Sequence, residues 1–409
     1  MFSGMVQDVL LLALCFLLAT TTGSMNDRVE KGLLKQRASS PSNITNLTAQ
    51  FFPSQGSKRA QITYGPFNVP NMNITNGMQS FFQAPVEMPC KDCLVTYIQA
   101  GLTYPNGTYA NANTSLWLHH VVLYNLNNVD AVCPTNLITG VPGERFFASG
   151  NERSPANICI NGTNNAGYYI GRNDTIGFLT ELMNTEMVNQ TAVVTIEYEY
   201  IPGLPASFSK VTPVWLDIAP CDQGSEEPAK NGSFQYTSTP WTAPANAAGR
   251  ITCAIGHVHD GGTHIDIAKN NQSMCDAIAV YGGPGYMDPM GNMVNMPGMT
   301  MGSHISSLSE CSTGQLNVGD SLTVTAYYNT TEYAPMTNTD GSLTPIMGIG
   351  LLYVAVNETS SSTSTSSGTS TATGVASTTS KAAGSIMTVA GGSALFAGAV
   401  GGMVALGFA

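Results

Sequence analysis

The sequence predicts an all-β protein: two consecutive antiparallel β-sandwiches, jelly-roll-like, between a disordered N-terminal leader and a Ser/Thr-rich C-terminal stalk. Three observations carry this. Charged residues make up 10% of the 409 residues, against 42 glycines and 22 prolines, a composition that suits turn-rich β domains better than helical ones. Short apolar runs alternate with Gly/Asn/Pro punctuation, and one of them, AVVTIEYEYI at 192–201, alternates with period two, the mark of a strand with one buried face. No stretch has strong helical periodicity, and no internal repeat is visible.

In chain order, residues 1–23 carry an apolar run from Val9 to Ala19 followed by small residues, the pattern of a secretory signal peptide cleaved near Gly23. Residues 24–60 form a polar leader, in which Lys58-Arg59 is either a second processing point or an ordinary exposed basic pair. The first sandwich spans 61–201, with strands such as CLVTYIQAGLTY and SLWLHHVVLYNL. A Pro/Gly/Ser-rich linker is expected at 202–213 and the second sandwich at 214–357, ending in MGIGLLYVAV. Residues 358–383 are mostly Ser and Thr and cannot bury enough apolar surface to fold, so they read as an O-glycosylated stalk. Residues 384–409 have the layout of a GPI-attachment signal, with Ala383 or Gly384 as the attachment residue. No basic residue follows the final apolar run, which argues against a tail-anchored transmembrane helix. The expected location is extracellular, on the outer leaflet of the plasma membrane or the cell wall.

The net charge of −11 has no compensating basic run, which excludes a nucleic-acid partner on electrostatic grounds. Twelve Asn-x-Ser/Thr sequons (Asn43, Asn46, Asn73, Asn106, Asn113, Asn161, Asn173, Asn189, Asn231, Asn271, Asn329 and Asn357) point to a glycosylated secretory product. Apart from Cys15 in the signal, eight cysteines remain: Cys90, Cys93, Cys133, Cys159, Cys221, Cys253, Cys275 and Cys311. Four fall in each half, so two bridges per half is the simple expectation, with Cys275–Cys311 the preferred pair.

The six histidines are clustered. His257 and His259, in IGHVHDGG, lie two apart on an expected strand, so both side chains face one way and can chelate one ion. Gly261-Gly262 then lets the chain turn away. His119 and His120 are adjacent, so both reach one ion only at a bulge or strand end; otherwise one ligates while the other packs. A rival set, His257, His259 and His264, would suit a three-histidine zinc site making hydroxide for hydrolysis. His304 reads as an ordinary polar residue.

WLHHVVLYN, GHVHDGG and PIMGIGLLYVAV occur in that order. Together they resemble the copper type II, ascorbate-dependent monooxygenases of the peptidylglycine and dopamine hydroxylase architecture. The resemblance is closer to the stress-up-regulated nodulin proteins and their fungal GPI-anchored relatives. It covers about 61–357 as a pattern and implies a copper site on each sandwich, facing across a solvent-filled cleft. By resemblance, His257, His259 and Met347 make the main, oxygen-binding site; two imidazoles and a thioether suit Cu(I). His119 and His120 match the electron-accepting site, where Met183 stands in place of the hydroxylases' third histidine. Either that site is His-His-Met or it is empty, so one or two copper ions are expected, and coupled two-copper hydroxylation does not follow.

A further motif lies outside the resemblance. Met287, Met290, Met293, Met296 and Met299 recur every third residue, followed by Met301, and Pro289 and Pro297 exclude a helix. A polyproline-II-like chain would line their thioethers along one edge for Cu(I) recruitment; the alternative is a loop whose methionines cover an apolar patch. Three functions fit these features. The first is a copper oxidoreductase of monooxygenase type using ascorbate or another reductant, with an unknown substrate. The second is a non-catalytic Cu(I) buffering or delivery protein, and the third a structural wall or adhesion glycoprotein.

Overall fold

The computed structural model describes residues 43–135, 143–221, 224–287, 303–311, 314–338 and 340–356, all within one compact unit. The expected signal peptide, stalk, GPI signal, Asn357 and Met290, Met293, Met296, Met299 and Met301 lie outside the described residues, as does most of the leader. The first part of the chain forms β1 (Asn43–Leu47), β2 (Lys58–Val69), β3 (Met78–Gln83), β4 (Cys93–Thr103), β5 (Leu116–Asn125), β6 (Glu144–Gly150), β7 (Ala166–Ile170), β8 (Ile176–Asn184), β9 (Gln190–Pro202) and β10 (Ser209–Asp217). There follow β11 (Ser233–Thr237), β12 (Trp241–Thr242), β13 (Gly249–Val258), β14 (Gly262–Lys269), β15 (Gln272–Tyr281), β16 (Ile305–Leu308), β17 (Gln315–Leu316), β18 (Ser321–Asn329) and β19 (Gly348–Val356). Only short 3-10 turns interrupt the strands among the described residues, so the all-β expectation holds.

A nine-stranded sheet in the order β1-β2-β9-β4-β7-β10-β19-β13-β17 runs through both halves. The sheet β3-β8-β5-β6 covers one end of it, enclosing a first core that includes Ile62, Leu102, Leu118, Phe146, Phe178 and Tyr198. The sheet β11-β18-β14-β15-β16, with β12 on β18, encloses a second core with the other end, around Ile251, Ile265, Leu322 and Leu352. Pairing is antiparallel except where β10 meets β7 in parallel at Ser209↔Ala166. That seam makes the two sandwiches share one sheet. The linker expected at 202–213 is accordingly shorter: β9 ends at Pro202 and β10 begins at Ser209.

β19 explains why its sequence is apolar at nearly every position. Ile349, Leu351, Tyr353 and Ala355 point into the first core, and Leu352 and Val354 into the second. With a side-chain period of two, each face of this strand closes a different sandwich. Truncating Leu351 or Leu352 to alanine would each cost about 2–5 kcal/mol, from different cores.

Two expectations are corrected. The leader is not loose as far as residue 60: β1 pairs with β2, and Phe52 is buried beside Leu94, Ile201 and Phe208. The buried Glu199 carboxylate anchors it, accepting the backbone N–H groups of Gln50 (2.8 Å), Phe51 (2.7 Å) and Phe52 (3.2 Å) and the Ser57 hydroxyl (2.9 Å). Nor are there two bridges per half. Cys275–Cys311 forms, as does Cys90–Cys93, but Cys133–Cys221 ties the first half to the chain beyond β10, and Cys159 and Cys253 are free thiols. The reason is local packing: the loop after β5 leans on the second half, where Val132 packs on its core and the Ala131 carbonyl accepts the Trp241 indole N–H at 3.2 Å.

Candidate metal centre

Strand parity brings the two histidine motifs together. A register shift in β13 between Ile251 and Cys253 changes which residues face which core. After it, Cys253 and Ile255 pack on the first core, while Ala254 and Val258 pack on the second. His257 continues the first set, so the His-x-His of the second half points into the first half. Where β13 and β19 part, the Tyr328 hydroxyl is inserted between them, accepting the His259 backbone N–H at 3.1 Å and donating to the Met347 carbonyl. Gly261, with φ +90°, then turns the chain into β14, as the glycine pair led one to expect.

On the opposing side, β5 pairs with β8 as Trp117↔Met183 and Leu118↔Leu182, but then as His120↔Glu181. His119 is the extra residue of a β-bulge, the device that lets adjacent histidines share one site. Glu181 Oε2 lies 2.8 Å from His119 Nδ1 and 3.1 Å from His120 Nδ1, and Glu181 Oε1 accepts the Ser80 hydroxyl at 3.0 Å. Across the seam, His257 Nδ1 meets Glu152 Oε1 at 3.1 Å, and His259 Nδ1 meets the Pro345 carbonyl at 3.1 Å. The His257 ring and Glu152 fit against β6 only because residue 150 is glycine. A Cβ there would lie 2.6 Å from both Glu152 Oε2 and His257 Cε1.

These contacts fix the tautomers. Carboxylates and a carbonyl only accept, so each of the four Nδ1 atoms carries the proton and each Nε2 presents a lone pair. His119 Nε2 and His257 Nε2 are buried with no partner. His120 Nε2 and His259 Nε2 face each other at 2.9 Å, lone pair to lone pair. Such a contact is repulsive unless a cation is bound. The ligand atoms of His119, His120 and His259 lie within 4.8 Å of one another, and the His257 ring stands 5.2 Å from His120 and 5.5 Å from His259. A cavity of about 30 Å³, lined by His119, His257, His259, Trp117, Ile305 and Met336 among others, has room for an ion and a water.

The electrostatics keep His120 and His259 neutral and ready to ligate. Burial first, then the neighbouring imidazoles, lowers His120 to about 4. Burial and the same neighbours hold His259 well below its usual range. Burial raises Glu181, but the hydrogen bonds it accepts from His119 and His120 outweigh it and hold the carboxyl well below the usual range; burial likewise raises Glu152, and His257 outweighs it and lowers that carboxyl. Neutral imidazoles whose Nδ1–H groups rest on carboxylates are the oriented, more basic ligands that metal sites use.

The residues expected from sequence fall as follows. Instead of two pairs across a solvent-filled cleft, His119, His120 and His259 form one cluster with His257 at its edge. Met347 immediately precedes Gly348, the partner of Val258 between the two histidines, and packs half-buried on the first core. Met183 packs with Trp117 and Met78. His264 turns away to stack on Tyr327, its Nδ1 2.9 Å from Thr263 Oγ1, so the His257–His259–His264 zinc arrangement is not formed. His304 is not an ordinary loop residue: its Nδ1 lies 2.6 Å from Asp260 Oδ2. Met287 pairs with Ser303 in an isolated bridge. Sequence reasoning missed Glu181, Glu152, Asp260 and Met336. For Glu181, the strand motif TEL two residues before Met183 was a visible signal; Glu152 and Met336 lie in loops with none.

The chain matches no known protein-family model. It is 34% identical over 302 residues, 74% of this chain and 73% of the relative, to a protein of Phoma sp. named probable copper-dependent oxygenase M1. It is also 34% identical over 258 residues, 63% of this chain and 78% of the relative, to probable copper-dependent oxygenase clz3 of Cochliobolus lunatus. Among solved structures, PNGase F, a glycosylasparaginase from Flavobacterium meningosepticum, is similar over 73% of this chain and 96% of its own with a TM-score of 0.36 and 12% identity, too slight a likeness to inform fold or function.

Proposed function

From the premise that this chain belongs to the family of probable copper-dependent oxygenases, we propose that it is itself a copper-dependent oxygenase with its copper centre at the seam between the two sandwiches. The observation that carries the reading is the set of buried Nε2 lone pairs on His119, His120, His257 and His259, each backed by an oxygen acceptor on Nδ1. His119, His120 and His259 would hold the ion and His257 would border it. Met347, whose carbonyl shares the Tyr328 hydroxyl with the His259 backbone N–H, would add the thioether that favours the reduced ion. Bound copper would supply one-electron chemistry with molecular oxygen, with ascorbate or another external reductant as electron source.

The chain's own residues do the rest. Glu181 holds two imidazoles on one carboxylate oxygen, which fixes both rings and keeps their protons on the side away from the ion. Trp117, Ile305, Met336 and Val258 give the cavity an apolar wall opposite the imidazoles and the polar Asn151, Glu152 and Asp260, which limits the water that reaches the ion.

The protein is placed at the cell surface in this reading. Its support is the N-terminal apolar run, the GPI-type C-terminus and the sequons, whose described asparagines are exposed except the half-buried Asn329. The test is oxygen consumption by copper-loaded protein with ascorbate. The reading expects copper- and ascorbate-dependent uptake that His259→Ala abolishes. Tight copper binding without uptake, whatever the reductant, would replace it with the buffering and delivery function, and absence of copper binding would leave the structural one.

A further inference from the structure

A second group of soft side chains sits beside the imidazole cluster, outside its set of nitrogen ligands. Met78, Met183 and Trp117 are direct partners across β3, β8 and β5, through Met78↔Met183 and Trp117↔Met183. They therefore form one row on the face that also carries Glu181, one step along β8. Met336, from the second half, packs on the same group. The His304 ring meets the Trp117 indole edge-on, with centroids 3.9 Å apart.

His304 is prepared as the other four histidines are. Asp260 Oδ2 takes its Nδ1 at 2.6 Å while Asp260 Oδ1 accepts the Ile305 backbone N–H at 3.0 Å, so the carboxylate is itself fixed. The side chain is 13% exposed, and His304 Nε2 is buried without a partner. An apolar packing role would explain the methionines but not this imidazole. An oriented, desolvated lone pair left unmatched costs about 1–3 kcal/mol.

The chemistry of the group is selective. Thioethers are soft donors that favour Cu(I) over Cu(II) or zinc, an imidazole suits copper in either state, and an indole face is the strongest aromatic partner for a cation. We propose that His304, Met183, Met78, Met336 and Trp117 form a binding site for a soft monovalent cation, Cu(I), distinct from the imidazole cluster. Trp117 and Met336 line the same cavity as His119 and His259. A Cu(I) ion held there would sit against residues that border the imidazole cavity and would serve as the source of its copper. The proposal does not need oxygenase activity, only that the two ligand groups differ in their preference for oxidation state.

The test uses the full chain, reduced and free of oxygen, titrated with Cu(I) under chelator competition and with Ag(I) as a redox-inert probe, while tryptophan emission is followed. Wild type is expected to show quenching by either ion that Trp117→Phe removes. It should also bind one equivalent of Cu(I) more than Met183→Leu/Met336→Leu or His304→Gln. Comparison by difference keeps any Cu(I) held by other methionines out of the count. His120→Ala and His259→Ala should lose Cu(II) binding yet keep the Ag(I) quench, which separates this site from the imidazole centre. The methionine-to-leucine variant preserves apolar volume and folding, so it decides the matter even if His304→Gln does not fold. Emission insensitive to Ag(I), or an unchanged Cu(I) count in Met183→Leu/Met336→Leu, overturns the proposal.

Discussion

Glu181→Gln is the most informative single change at the seam. The native carboxylate accepts from both His119 and His120 through one oxygen, and from Ser80 through the other. A glutamine can put its one accepting oxygen in the place of Oε2, under both imidazoles, and turn its NH₂ to the Ser80 hydroxyl oxygen, but both rings then rest on a neutral acceptor. Without the charge behind Nδ1–H, both Nε2 atoms become less basic and bind the ion more weakly. A hydrogen bond to a charged acceptor is worth about 1.5–3 kcal/mol against about 0.5–1.5 for a neutral one, and two such exchanges correspond to about 10- to 100-fold weaker metal binding. The shape of the side chain hardly changes, so folding should survive. Copper affinity measured by chelator competition should fall by that factor, and the nitrogen couplings in the electron paramagnetic resonance of bound Cu(II) should change. An affinity within about twofold of wild type with an unaltered spectrum would show that the ion does not depend on the His119–His120 pair, and the assignment of Nε2 as the ligating atom would fail.

Three further outcomes follow from the same geometry. Gly150→Ala pushes a methyl group against Glu152 and His257, which approach to 2.6 Å of that position, and should weaken copper about 10-fold while lowering stability by about 1–3 kcal/mol, read by competition titration and thermal melts. The metal-free protein should lose stability on acidification. His120 titrates at about 4 when folded against 6.5 when unfolded, so the unfolded chain takes up the proton first, and loss begins as pH falls through 6.5 and is complete near 4. On the order of 3 kcal/mol comes from this one residue. The lowered carboxyls of Glu181 and Glu152 add to the loss below about 4.5, and melts of chelator-treated protein at pH 7 and at about pH 3 measure the sum, with no drop on acidification contradicting it. Cys133→Ser opens a loop spanning 88 residues and should cost about 4 kcal/mol by loop-closure entropy, measured in denaturant without reductant.

The architecture was legible in the sequence because period-two alternation and turn residues are local signals. The shared sheet was not, because nothing in PGLPASFSKVTP distinguishes a linker from the start of a strand that pairs in parallel with β7. The same limit governs the site. His-x-His declares a chelate through spacing alone, and the adjacency of His119 and His120 states its own requirement for a bulge, which β5 supplies. The separation of the two motifs into two sites was an inference about tertiary distance, and the parity of β13 after its register shift reverses it by aiming His257 into the first half. Asp260 lies inside the GHVHDGG motif itself, yet its partner His304 is 44 residues away, so the pairing was invisible. Charges carry no periodicity, and a carboxylate that orients a histidine looks in sequence like any other.

The number and surroundings of the Cu(II) ions in the loaded protein test the single centre at the seam most directly. Electron paramagnetic resonance of the full chain titrated with Cu(II) should saturate at one tightly bound ion per chain. Its nitrogen couplings should require imidazoles from both halves, and they should be altered by His120→Ala and by His259→Ala alike. Two independent Cu(II) centres, one lost with His120 and the other with His259, would contradict it.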